Sequence, residues 1–278
     1  MVDAKDTSFL ARHEFIIRRL HSLSGLIPVG AYMVVHLLVN ASVNDSAATF
    51  QRNVFGIHSL GSFLPLIEWG FIFIPLLFHA IVGVVIVAGG VPNTQSYPYQ
   101  GNFRYTAQRA TGMIAFAFIM WHVFHMHGWF HSDWWLNSVA RPLGGAKFAP
   151  YNAASTLGAA MQGAGAAIVV ILYVVGLLSC VFHLSNGLWT MGITWGVWVS
   201  QSAQDRARTV CDGFGVLLAV VGLSAVYGAA TVDIDAAQQV ENRMYEAKVE
   251  SGDIKPDLHK RSGAHEEESE VAASGEHP

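Results

Sequence analysis

Long stretches of this 278-residue chain carry no charge, and their lengths leave few folds open. No residue is charged between Arg19 and Asp45, between Arg109 and Asp133, or between Asp212 and Asp233. Two longer gaps run from Glu68 to Arg104 and from Lys147 to Asp205. About 20 mostly apolar residues, wound as a helix, cross roughly 30 Å of bilayer hydrocarbon. The gaps predict five crossings, near residues 20–43, 66–90, 108–130, 164–189 and 212–231. Composition agrees: hydrophobic residues make up 52% and charged residues 13%, against roughly 25% charged in a soluble domain. The expected fold class is all-α, an integral membrane five-helix bundle forming one domain over residues 1–231.

Charge also orients the bundle. The first 19 residues are polar and charged rather than an apolar leader with a small-residue cleavage site, so the amino terminus is expected to stay in the cytoplasm. Lys5, Arg12, Arg18, Arg19, Arg104, Arg109, Arg206 and Arg208 fall on that side, and only Arg52, Arg141 and Lys147 on the other. Eight against three fits the positive-inside rule, and five crossings then put the carboxyl terminus outside. After Thr231 the composition changes. Residues 232–278 hold twelve acidic and five basic residues, a segment expected to be a disordered or partner-docked acidic tail, with one Ala/Gln/Glu-rich run suited to a short surface helix.

Cys180 and Cys211 lie in or beside apolar spans, without a CxxC, a CxxCH or a four-cysteine set. Covalent haem, iron–sulfur and structural zinc sites therefore have no support, and buried thiols packing as small hydrophobes are expected. No glycine-rich nucleotide motif occurs at a strand-to-helix turn, and nothing suggests a nucleic-acid partner.

Histidine is where the sequence points to chemistry. His36, His79, His122 and His183 sit one apiece in four apolar spans, and a titratable ring in hydrocarbon is costly enough that a functional reading is the default. By helical rise, His36 lies about 24 Å and His122 about 21 Å from the cytoplasmic start of their helices, whereas His79 lies about 16 Å and His183 about 9 Å from the cytoplasmic ends of theirs. One pair is outward, the other inward. His79 and His183 are each followed four residues later by glycine, Gly83 and Gly187; residues at that spacing share a helix face, which suggests clearance for a flat macrocycle. A single buried histidine is as readily a structural residue or a proton relay, but four at paired depths favour bis-histidine haem ligation, which leaves iron no open position and suits electron transfer. A rival metal site is conceivable in the run WHVFHMHGWFH, at His125, His127 and His131, but its spacing matches no zinc pattern.

These residues also resemble a known family. RRLHSLSG from Arg18 to Gly25, continuing through IPVGAYMVVHLLVN, is similar to the first-helix signature of the single-polypeptide, two-haem cytochrome b anchor of succinate:quinone oxidoreductases. EWGFIFIPLLFHAIVGVVIV, QRATGMIAFAFIMWHVF and FHLSNGLWTMGITWG resemble its second, third and fourth helices in order. The resemblance covers about residues 13–231. It places the four histidines on the family's ligand positions, His36 with His122 on an outer haem b and His79 with His183 on an inner one.

The resemblance implies a subunit of a larger enzyme in the cytoplasmic membrane. An FAD-containing flavoprotein would oxidise succinate and an iron–sulfur protein would pass electrons on. This chain would anchor both and deliver electrons through its haems to quinone, menaquinone being the expected species, with no action on dicarboxylates alone. The anchor of a quinol:fumarate reductase or of another membrane dehydrogenase is the alternative. Arg19, His21, Ser22 and Ser24, with Arg109, are expected to partner haem propionates through charge-assisted hydrogen bonds. His21, at the start of the first crossing, is read as such a contact and not as an iron ligand. Glu68, about 11 residues outward from His79, is the expected proton carrier for quinone. An acid beside the fourth-helix ligand, found in relatives that move protons across the membrane, has no counterpart among Leu177, Leu178, Cys180 and Val181.

Overall fold

The fold was read from a computed structural model, which describes residues 9–90 and 94–262. Among these residues the structure is all-α, its one β contact being an isolated bridge between Ala149 and Asn152. In chain order the main helices are α1 (Phe9–Ser24), α2 (Ala31–Ala41), α3 (Ala47–His58), α4 (Ile74–Ala88), α5 (Gln100–His127), α6 (Ala153–Gln162), α7 (Ala166–Thr194), α8 (Gln201–Thr231) and α9 (Ile234–Glu250).

Four helical stretches among the described residues are long and apolar enough to cross a membrane: Arg12–Asn44, Gly61–Ala88, Ala166–Thr194 and Gln201–Thr231. These overlie four of the five expected crossings. The fifth corresponds to α5, which has 28 residues but whose apolar run is diluted by His122, His125 and His127. Exposure supports a lipid environment. The apolar window of Gly61–Ala88 has none of its residues buried, and Ile74, Leu77, Ile81 and Val85 all stand open. Apolar area of that extent is stable only against hydrocarbon or a protein partner.

The first span is interrupted by a π turn over Gly25–Gly30 that joins α1 to α2. Its cause is local: Pro28 has no N–H to donate and its ring forces the preceding residue out of helical geometry, and Ile27 lies at φ −128°, ψ 108°. A second π turn, Glu68–Phe73, leads into α4.

The chain divides into two compact units. Among the described residues, one comprises 9–36, 62–90, 94–117 and 175–220; the other comprises 37–61, 118–174 and 221–262. The first unit packs α1 and the Gly25–Gly30 turn against α4. Arg104 spans it with a two-pronged ion pair to Asp212, at 3.1 and 2.7 Å.

In the second unit the Ala/Gln/Glu-rich run of the tail forms the short helix it was suited to, but with Ala237, Glu241 and Tyr245 buried rather than lying free on the surface. Residues 234–250 form α9, which packs on α3 and α6. Asp233 caps α9 by accepting a hydrogen bond from the Ala236 amide at 3.0 Å. The physical reason for the docking is a capping problem. The first N–H groups of α6 have no partner within that helix. Gln51 of α3 accepts from the Ala153 amide at 2.9 Å, and Glu241 of α9 accepts from the Ala154 amide at 2.5 Å and the Ser155 hydroxyl at 2.5 Å. Gln51, Glu241 and the adjacent Asn152 are wholly buried. A carboxylate at a helix N-terminus is favoured by the helix dipole, so the acidity of the segment is part of why it folds. The connection from His131 to Gly163 contains the Asp133–Trp135 turn and α6. Residues 263–278 lie outside the described part, as do the first eight and their Lys5.

Candidate functional site

The first unit brings three imidazoles together. His79, from α4, stacks on His21 of α1 with ring centroids 4.1 Å apart and planes 7° from parallel. His183, from α7, meets His79 edge to face, with centroids 5.9 Å apart and planes at 85°.

Each of the two expected ligands is oriented in the same way. His79 Nδ1 lies 2.8 Å from the backbone carbonyl of His21, and His183 Nδ1 lies 3.1 Å from that of Gln108. A carbonyl oxygen only accepts, so both Nδ1 atoms carry the proton and both Nε2 atoms are left as lone-pair donors. This is the tautomer a metal-ligating histidine requires. A histidine nitrogen sits about 2 Å from a bound transition metal, which puts the centroids of two rings on one ion on the order of 6 Å apart. The observed separation is compatible with that, and the donor set fits haem iron.

Glycines make the approach possible, at positions the sequence did not single out. Each accepting carbonyl has a glycine four residues on: His21 is followed by Gly25 and Gln108 by Gly112. A Cβ at Gly25 would collide with the His79 imidazole, and one at Gly112 would stand 2.8 Å from His183 Cε1. The glycines expected to clear space for a macrocycle have other neighbours. A Cβ at Gly83 would lie 3.2 Å from His21 Nε2, and one at Gly187 would lie 3.4 Å from Gln108 Nε2. Their bare faces accommodate those two side chains. The His21–Gly25 and Gln108–Gly112 spacings were visible in the sequence, but nothing there said that a ring from another helix would seat on them.

The expected propionate partners are engaged within the protein. Arg109 donates to Tyr105 Oη at 2.6 Å, to the Gly90 carbonyl at 2.9 Å and to the Val87 carbonyl. A cation on the last carbonyls of a helix, here α4, satisfies them and complements the dipole. Arg19 lies over the rings of Phe15 and Trp195, at 4.8 and 5.1 Å. Ser22 donates to the Arg19 carbonyl at 2.9 Å and accepts from Trp195 Nε1 at 3.1 Å, while Ser24 donates to the His21 carbonyl at 3.0 Å. His21 is deeper than expected, twelve residues into α1, because the helix begins earlier than the apolar run does. Glu68 opens the second π turn and is partly exposed. In the same unit Tyr32 Oη lies 3.4 Å from His36 Nδ1.

The second unit holds a different histidine group. His122 Nδ1 and His125 Nδ1 lie 3.1 and 3.0 Å from one hydroxyl, that of Tyr173. Phe118 stacks on His122, and Trp121 on His125. His127 packs on His131 with centroids 4.1 Å apart. Among the described residues no three His, Cys, Asp or Glu side chains converge as a metal site, so the WHVFHMHGWFH run is not gathered into one. Cys180 and Cys211 are free thiols.

No model of a known protein family matches the chain. The chain is, however, 36% identical over 214 residues to the succinate dehydrogenase cytochrome b558 subunit of Bacillus subtilis (strain 168), across 77% of its own length and 96% of that protein. Identity sustained over nearly all of that relative, in a chain with four membrane-length helices, is kinship and not shared composition. The chain belongs to the family of succinate dehydrogenase cytochrome b subunits, multi-pass membrane proteins that form part of an enzyme complex.

Proposed function

We propose that this chain is the membrane anchor and electron-transfer subunit of a succinate:quinone oxidoreductase, in which His79 and His183 would hold one b haem. The observation that carries the reading is the pair of Nδ1 hydrogen bonds to the carbonyls of His21 and Gln108, which leave both Nε2 atoms as lone-pair donors, on rings whose centroids lie 5.9 Å apart. For a second haem on His36 and His122 the support is their matched depth in the sequence and the family resemblance. Haem bound by two histidines carries single electrons and has no open position for oxygen chemistry. The chain's own contribution is to fix the ligand tautomers, to hold the rings by packing and to exclude water with apolar helices.

Arg19, His21, Ser22, Ser24 and Arg109 are the proposed propionate contacts, all in the unit that contains His79. Gly83 and Gly187 serve by admitting His21 and Gln108. Glu68 is proposed as a proton donor to quinone, menaquinone in our reading, because reducing quinone consumes two protons for each two electrons. A five-crossing bundle in the cytoplasmic membrane, amino terminus inside and carboxyl terminus outside, would present Arg12, Arg18, Arg206 and Arg208 to the iron–sulfur subunit, which would receive electrons from the FAD-containing flavoprotein.

The test is a reduced-minus-oxidised visible spectrum with a haem count on the purified complex. Two b haems per chain are expected in the native protein, and one in either His79→Ala or His183→Ala. A native count of zero, or two haems surviving in both variants, would overturn the assignment.

A further inference from the structure

We infer that Gln108, Asn186 and Arg104 form a positioning chain that sets the reduction potential of the haem held by His183. The inference rests on the reading of His183 as a ligand.

The geometry begins at an ion pair and ends at the ligand. Arg104, 15% exposed in its side chain, donates to Asp212 through both terminal nitrogens and to Asn186 Oδ1 through Nε at 2.8 Å. Asn186, 1% exposed, donates from Nδ2 to Gln108 Oε1 at 2.8 Å. Gln108 Nε2 donates to the backbone carbonyl of His183 at 3.0 Å, and the Gln108 carbonyl accepts from His183 Nδ1 at 3.1 Å.

Only one set of amide orientations satisfies this series. A guanidinium has donors alone, so Asn186 must turn its oxygen toward Arg104 and its nitrogen toward Gln108. Gln108 must then turn its oxygen toward Asn186, which leaves its nitrogen for the His183 carbonyl. The three side-chain bonds from Arg104 Nε through Asn186 and Gln108 to the His183 carbonyl all run in one sense, a head-to-tail arrangement in which neighbouring bonds polarise one another. At the far end, one α5 residue grips one α7 residue by two bonds of opposite sense, so the distance from the Gln108 carbonyl to His183 Nδ1 is held by the amide side chain as well as by helix packing. Gly187 lies beside the same device, where a Cβ would stand 3.4 Å from the Gln108 amide nitrogen. An N–H···O bond at Nδ1 raises the basicity of the ligating Nε2. A more basic ligand favours the oxidised iron, so slackening the grip makes the haem easier to reduce.

The experiment is a spectroscopic redox titration of the full complex carrying Gln108→Met, Asn186→Leu, both together, or Arg104→Lys. The haem that disappears in His183→Ala should shift upward by about tenfold in its reduction equilibrium, about 59 mV for one electron, in each of the first two variants. The double variant should add little, because both break one chain. The other haem should keep its potential. Selective loss of the His183 haem from Gln108→Met also supports the inference. Native potentials in both single variants, equal shifts in both haems, loss of both haems or additive shifts in the double variant overturn it. Where a variant fails to assemble, Arg104→Lys decides: it keeps the charge but not the fork geometry, and a native potential there overturns the inference. Survival of both haems in His183→Ala would instead refute the ligand reading, whatever the other variants show.

Discussion

Two histidine pairs, one in each unit of the molecule, are held in opposite ways. Around His79 and His183 each Nδ1 meets a backbone carbonyl. Around His122 and His125 both Nδ1 atoms meet the same tyrosine hydroxyl. A carbonyl accepts and never donates, so it selects one tautomer and keeps it. A hydroxyl has one proton and can give it to only one ring, so the other ring must donate to it. If His122 ligates iron through Nε2, its own Nδ1 carries a proton and donates to Tyr173; the tyrosine proton then goes to His125 Nδ1, and His125 keeps its proton on Nε2. The pair His79 and His183 is thus fixed by main chain, which no substitution removes, and the pair His122 and His125 by a single side chain, which a substitution can delete.

The largest expected effect breaks the carbonyl side of this contrast. His79→Ala or His183→Ala should each remove one haem and abolish electron transfer from succinate to quinone in the assembled complex. Unchanged turnover would show that neither ring lies on the electron path.

Next come the glycines that let the rings reach their carbonyls. Gly112→Leu should prevent His183 from seating and remove the same haem, since even a Cβ there stands 2.8 Å from the ring. Gly101, on the same helix, has open space where its Cβ would be, and Gly101→Leu should keep full haem content. Equal haem loss in both would mean that the helix, not the seat, had been disturbed.

Tyr173→Phe sharpens the other side. It removes the shared hydroxyl without changing the ring, and outer-shell partners of this kind are worth about 10–100-fold in metal affinity or activity. Weaker retention of the haem assigned to His122, measured by haem release under mild denaturant, is the expected result, with the haem of His79 and His183 unaffected. The reverse pattern would contradict the division between the two units.

Smaller effects fall on the packed carboxyl-terminal segment. Glu241→Leu strands the amides of Ala154 and Ser155 and should cost about 1–3 kcal/mol, read as earlier proteolysis of α9 in the intact complex. His58 reports the same region by pH. Burial, assisted by nearby Lys260, lowers its pKa from 6.5 to about 4. A depressed histidine pKa means the folded state prefers the neutral ring, so this contribution to stability is complete above pH 6.5 and is lost as pH falls toward about 4. His58→Gln should flatten that part of the profile; an unchanged acid limb would place the titration elsewhere.

Much of the architecture was legible in the residues because it depends on local composition. The charge gaps anticipated the positions of the long helices, and Pro28 is enough to explain the break between α1 and α2. α5 shows the limit of this reading, since the histidines that make it chemically interesting also lower its apolar signal. In residues 232–262 a short helix was legible but its docking was not, for a different reason. Net charge describes a segment in water, whereas Glu241 is held by amides of a helix 86 residues earlier in the chain. At the candidate site, the four histidines stood out as costly polar rings in apolar spans, but Gln108 and Asn186 looked like ordinary polar residues, and Gly25 and Gly112 like unremarkable glycines.

The sequence by itself determined the medium, the approximate spans and the four rings worth attention, because these follow from how often apolar, charged and imidazole groups recur along a helix; the family showed in the resemblance of four ordered motifs. Only the tertiary structure decided which atom of each ring is held, by what, and which glycines make room. The partners of His79 and His183 lie 58 and 75 residues away in sequence. A hydrogen bond is settled by ångströms and angles that exist only once the helices have packed.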